Sequence, residues 1–219
     1  MTLDLYGIRQ KQGNEGIPVA KLLDKDILLS LIKDYGNYLE TTSLAIAGSL
    51  FIKRYAVITA AVSLDYFGFL QQKADWWSNA RFNASAFTLL VDETPVGSLD
   101  ENWKEELFFN HLTPMIQLIA KECKINEKIL WENVAVRLNS VFREYEHSYP
   151  SEQIDGQYND ITSSNCSWLG KDTNPFQLYV HKKFIDAENP KRKTCCRYYE
   201  VSKEGELPYC NVCPLKKKY

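Results

Sequence analysis

Between Thr41 and Leu70 the chain reads "TTSLAIAGSLFIKRYAVITAAVSLDYFGFL", thirty residues whose apolar side chains fall on almost every side of a helix instead of one stripe. A segment with no polar face has to be covered from all directions, so it reads as a central buried helix around which the rest is built. Val57, Ile58, Thr59 and Val62 are β-branched, or flanked by β-branched neighbours, and suit a strand as well. The uncharged part, Thr41 to Ile52, stops at Lys53 and Arg54 and falls short of the roughly 20 apolar residues that span a bilayer. The cover must then come from the chain itself. With 219 residues, 45% of them hydrophobic, there is enough apolar material for one large core, or a core with an appendage.

Helical periodicity dominates the remainder. "DKDILLSLIKDYGNYLE" sets Leu28, Ile32, Tyr35 and Leu39 on one stripe behind a capping aspartate, Asp24 or Asp26. "NEKILWENVAVRLNSVFREYEH" repeats Leu130, Val134, Leu138, Val141 or Phe142, and Tyr145 on a core-facing side. "ENWKEELFFNHLTPMIQLIAKECK" is expected to divide at Thr113 and Pro114, a cap followed by proline at the first helical position. Strands are expected at "AFTLLVD", Ala86 to Asp92, and at "QLYVHKKF", Gln177 to Phe184. Ser, Asn, Asp, Gly and Pro accumulate from Ser148 to Asn174, where the composition places a boundary. The expected fold is a helix-dominated α+β protein with a small sheet: a helical body over residues 1–160 and a cysteine-bearing segment over 161–219.

The opening "MTLDLYGIRQ" lacks the basic and apolar regions of a signal peptide, which points to the cytoplasm, where thiols are kept reduced. Charge is divided unevenly. Residues 170–219 hold eleven Lys and Arg against six Asp and Glu, whereas residues 1–169 hold fifteen against twenty-two. A basic end attracts anions of any kind. No helix-turn-helix, RNP or zinc-finger spacing accompanies it, so nucleic acid is not the expected partner. The glycines form neither G-x-G-x-x-G nor G-x-x-x-x-G-K-[ST], and no G-x-S-x-G nucleophile motif occurs, which leaves no place for a bound nucleotide or for hydrolytic chemistry.

The basic end is also where four of the six cysteines lie: Cys195, Cys196, Cys210 and Cys213 in "RKTCCRYYEVSKEGELPYCNVCPLKKKY". Thiolates are the ligand form of cysteine, and four within nineteen residues are what a tetrahedral sulfur site requires. In a reducing compartment such sites hold zinc or iron–sulfur, and reversible disulfide chemistry is the third reading. Two C-x-x-C arms would favour zinc. Here one arm is an adjacent pair, whose side chains point to opposite faces in extended chain, so it must sit at a corner. A two-iron cluster is wider than one zinc ion and accommodates such a pair more easily. Cys123, on an apolar helix, and Cys166, in a polar loop beside Trp168, read as ordinary residues. His111, His147 and His181 are scattered and form no ligand pair.

The stretch "RKTCCRYYEVSKEGELPYCNVCPL" resembles the C-terminal signature of FhuF-type ferric siderophore reductases, in which a C-C-x(n)-C-x-x-C set binds a [2Fe-2S] cluster. Arg192 to Thr194 before the pair and Pro214 after it are also alike, and "GSLFIKRYAV", Gly48 to Val57, is similar to a helical segment of the family. About ten residues separate the pairs in the family against thirteen here, the extra ones falling in "VSKEGE", a loop where insertion costs little.

The resemblance implies a one-electron oxidoreductase that reduces Fe(III)-siderophore and releases Fe(II), with Cys195, Cys196, Cys210 and Cys213 as cluster ligands. Its partners would be a ferric siderophore and a separate electron-donor protein, with at most transient contact with a membrane importer and no transmembrane segment of its own. Arg192, Lys193 and Arg197 are the candidates for contact with an anionic siderophore, besides neutralising the thiolates. Two other readings stay open: a zinc-stabilised binding protein without redox activity, and a ferredoxin-like electron carrier.

Overall fold

The computed structural model describes residues 3–72, 77–92, 102–181, 191–203 and 208–216. The apolar run is helical from Leu44 to Phe69, and no part of it pairs as a strand. Ser43 opens α2 (Leu44–Ala56) by accepting a hydrogen bond from the Ile46 N–H. The rod continues in wide π-helical turns through Val57–Ala61 and Leu64–Phe69. The resulting Leu44–Phe69 helix is 26 residues long, enough to cross a membrane by length and apolarity, so length is not what keeps it from doing so, as the shorter run to Ile52 had implied. Its most apolar window is instead 78% buried inside the protein.

The cover is supplied mainly by two helices. α1 (Lys25–Tyr38) starts at Asp24, whose carboxylate accepts from the N–H groups of Asp26 and Ile27, and buries Leu28 and Ile32 completely. The longer α4 (Glu127–Tyr145) begins behind Asn126, which caps the Lys128 N–H. All of the apolar positions expected to face the core on α4 are buried. Between them α4 also buries three polar residues, Glu132, Asn133 and Asn139, which apolar periodicity does not foresee.

Thr113 does not start a new helix. A π-helical segment, Glu105–Leu112, runs directly into α3 (Thr113–Glu122), and the Thr113 N–H donates to the carbonyl of Phe108. The Thr113 hydroxyl is committed elsewhere, donating to the Leu169 carbonyl at 2.8 Å, so it is not available as a cap. α3 approaches α2 closely at Gly48, where an added Cβ would meet Ile119 Cγ2 at 2.9 Å and Cys123 Sγ at 3.3 Å. Alanine there gains about 1 kcal/mol of helix propensity. It also presses on a β-branched side chain that cannot swing clear, which costs about 1–3 kcal/mol. Gly48→Ala is therefore expected to lower the urea midpoint; a midpoint at or above that of the parent would show slack between the two helices.

Four short strands form one sheet in the order β1-β4-β3-β2: β1 (Ile8–Gln10), β2 (Ile17–Pro18), β3 (Arg81–Asn83) and β4 (Thr88–Val91). β4 falls within the expected Ala86–Asp92 and pairs parallel to β1 and antiparallel to β3. Ile8, Phe82 and Leu89 are buried, and Phe82 packs edge-on against Phe51 and Tyr55 of α2.

The strand expected at Gln177–Phe184 is not present. Phe176–Tyr179 form a helical turn, and residues 182–184 lie outside the described part. Asn174 caps the Phe176 N–H, and Asn139 of α4 donates to the Tyr179 carbonyl while accepting from the His181 N–H. Side-chain amides thus take the backbone bonds that a neighbouring strand would have made. Within the polar stretch 148–174 lies another helix, Ser151–Thr162, with Ile154 and Ile161 buried.

Candidate metal centre

The tail reaches the body through one buried polar network. Arg192 is 5% exposed and Glu132 3%. The Arg192 guanidinium donates to Asn133 Oδ1 at 2.6 Å and lies 3.4 Å from Glu132 Oε2. Glu132 also accepts from the backbone N–H groups of Lys193 (2.6 Å) and Thr194 (2.7 Å), and from the Thr194 hydroxyl. Asn133 then donates to the Ser49 carbonyl and hydroxyl oxygen, and Ser49 Oγ donates to the Cys196 carbonyl at 3.0 Å. Two adjacent polar residues of α4 therefore hold the segment just ahead of the cysteines. The Arg192 N–H donates to the Val212 carbonyl at 2.9 Å, which ties the two cysteine arms together.

The adjacent pair sits at a corner. Arg197, directly after it, has φ 63°, in the left-handed region, and its N–H donates to Cys195 Sγ at 3.3 Å. Cys196 is buried and its sulfur lies 3.8 Å from that of Cys210. In the second arm the Cys213 N–H closes a turn on the Cys210 carbonyl at 3.0 Å, and Cys213 is buried. Burial above all pushes the Cys195 thiol up, the Arg197 N–H opposes it, and the neighbouring Cys196 and Cys213 sulfurs add to the rise. Among the described residues, no three His, Cys, Asp or Glu side chains converge as they would around a single ion.

Beneath the pair lies one face of α2. Ile46, Ser49, Leu50 and Lys53, at helical spacing, meet the tail: Ile46 and Leu50 pack with Cys196, and Lys53 Nζ stands 3.4 Å from Cys196 Sγ. Lys53 also lies over the Tyr198 ring, and its carbonyl accepts from Arg137 Nε at 2.9 Å. The Cys196 thiol is pushed well below its ordinary range, first by the hydrogen bond with Cys210 and then by the charges of Lys53 and Arg192, against the opposing effect of burial. Cys210 is pushed up by the same bond and by burial.

The sequence-predicted cations separate in space. Arg192 is the buried anchor, Lys193 is exposed with its N–H on Glu132, and Arg197 is forked onto Glu200 at 2.6 and 2.8 Å. Cys123 lies against Gly48, and Cys166 donates to the Lys171 carbonyl. His111 is buried beside Tyr55, which pushes its pKa down to about 3, far from a ligand role in the tail. Sequence reasoning missed Ser49, Glu132, Asn133 and Arg137. The only signal for them was polarity at positions where α2 and α4 should have been apolar.

No curated protein matches the chain. Residues 83–176 match the family described as "Ferric iron reductase FhuF-like transporter". The matched stretch runs from within the body to residue 176 and ends before the first tail cysteine, so it stands apart from the residues on which the resemblance was based. It covers α3 and α4, including Glu132, Asn133 and Arg137. The body match and the cysteine tail meet at that polar network, and over residues 83–176 the chain is similar to the FhuF-like ferric iron reductase family.

Proposed function

We propose that the protein is a ferric siderophore reductase that works through a [2Fe-2S] cluster held by Cys195, Cys196, Cys210 and Cys213. The observation that carries the reading is the Cys196–Cys210 pair at 3.8 Å. A tetrahedral metal with sulfur bonds of about 2.3 Å sets two ligand sulfurs about 3.8 Å apart. A two-iron centre takes its four ligands in pairs, one pair per metal, whereas zinc needs all of them around one point. One tight pair, with no converging triad among the described residues, suits the former.

Cys195, Cys196, Cys210 and Cys213 would hold the cluster, which would supply one-electron chemistry between a separate donor protein and the siderophore's Fe(III). The chain's own part is electrostatic. Lys53 favours the thiolate form of Cys196. The Arg197 N–H on Cys195 Sγ and the half-buried Arg137 offset the negative charge that reduction adds. The substrate and the donor meet the protein in the cytoplasm, and contact with a membrane importer is transient.

Anaerobically purified protein is expected to be red-brown, to carry about two irons and two labile sulfides per chain, and to bleach with dithionite. With dithionite as reductant it should release Fe(II) from a ferric siderophore, trapped by a chelating dye. One zinc per chain and no sulfide would overturn the reading.

A further inference from the structure

Directly beside Cys210 opens a cleft of about 300 Å³, walled by α2, one face of α4 and both cysteine arms. Its side chains include Lys53, Arg137 and Arg143, with Tyr198 and Tyr209 as ring walls and Cys210 at one side. No acidic side chain lines it among the described residues. We infer that this cleft is where the substrate docks, and that it takes one arm of a net-negative ferric chelate of the catecholate or α-hydroxycarboxylate class.

Charge and shape both bear on this. Arg192 is consumed by Glu132 and Asn133 inside the protein, and Arg197 by Glu200. Lys53 and Arg137 lie where the Cys196 and Cys210 sulfurs feel them, so their charge is shared with the thiolates. Arg143, two helical turns along α4 from Val136, is exposed and extends the positive wall outward. A ferric trihydroxamate is neutral and gains nothing from such a wall, while a ferric tris-catecholate carries three negative charges and gains in both affinity and encounter rate. A space of this size holds a single bidentate arm, and flat tyrosine walls suit its ring or carboxylate plane. An arm seated there touches the Cys210 side of the centre, so the electron has a short path to Fe(III). The reductant for that step is the one-electron donor named above, replaced by dithionite in an assay.

The inference rests on the reductase reading only for the electron's route, and docking is tested without it. Gallium(III) matches iron(III) in charge and size but is not reduced. Calorimetry on the full chain should show gallium tris-catecholate and gallium citrate binding, both weakening as salt rises from 20 to 200 mM. Arg143→Glu should weaken both by about tenfold or more, and Ser140→Glu, on the same wall, should act in the same direction. Binding of neutral gallium trihydroxamate should be the same in parent and variants. Anionic chelates indifferent to both variants, or a neutral chelate weakened equally, would overturn the cleft. So would a variant that keeps chelate affinity but slows only the electron supply from an acidic donor protein, since the cleft would then be the donor's. A colourless protein that binds anionic chelates in this way overturns the cluster and not the cleft. A red-brown one blind to chelate charge overturns the cleft alone.

Discussion

Cys196→Ser is expected to strip the protein of its visible colour and of ferric siderophore reduction together. Cys196 is 1% exposed, with Cys210 Sγ and Lys53 Nζ as its neighbours. Serine offers a hard hydroxyl that stays protonated, so the site loses a soft anionic donor and Lys53 loses the charge it faces. The activity loss should exceed the roughly 10–100-fold typical of changes behind the ligands. Cys195, Cys210 and Cys213 should behave alike. Cys123→Ser and Cys166→Ser should retain the spectrum while shifting stability by about 0.5–3 kcal/mol. Absorption and iron content of the six variants decide it. If Cys195→Ser keeps a full complement of iron and Cys166→Ser loses it, the fourth ligand comes from the loop beside Trp168.

Glu132→Ala should be the most damaging change to stability outside the cysteines. It removes the acceptor of two backbone N–H groups and a hydroxyl, and leaves the Arg192 guanidinium buried with Asn133 as its main remaining partner. Breaking one side of a buried ion pair costs about 3–5 kcal/mol. Most of that arises from the stranded charge, so Glu132→Ala combined with Arg192→Met should recover part of the loss, a coupling that a double-mutant cycle measures. Limited proteolysis should show cleavage ahead of Cys195 in the single variant. A single variant as stable as the parent, or a double variant with strictly additive loss, would mean that the network does not anchor the tail.

The sequence disclosed the parts of this fold that rest on a single strong physical requirement. A run with no polar face had to be central, and it is the Leu44–Phe69 helix. The α4 stripe and β4 were legible from their periods. Where a side chain substitutes for the backbone, period-based reading failed: Asn139 and Asn174 turned an expected strand into a helical turn, and Thr113 bonded to Leu169 instead of capping. The cysteines were visible because thiols are rare and their spacing is informative. Their setting was not visible. Glu132 and Asn133 lie inside an apolar helix pattern, and Lys53 read as the end of an apolar run when its ammonium stands 3.4 Å from Cys196 Sγ. Arg192, Lys193 and Arg197 are one patch in sequence and three environments in space.

The two-sided burial of α2 also bears on how the protein is made. Ala47, Phe51, Ile52 and Tyr55 face the main core, but Ile46 and Leu50 are covered by the tail. A ribosome adding about 5–20 residues per second finishes α2 well before it reaches Cys195, so a nascent chain carries that greasy strip without its tail cover until the cysteine segment emerges. Chains stalled before residue 190 should accordingly be retained by chaperones or precipitate, and full-length chains starved of iron should resemble them more than chains supplied with it. Delivery of the inorganic centre would then act as a quality check on whether that strip has been covered.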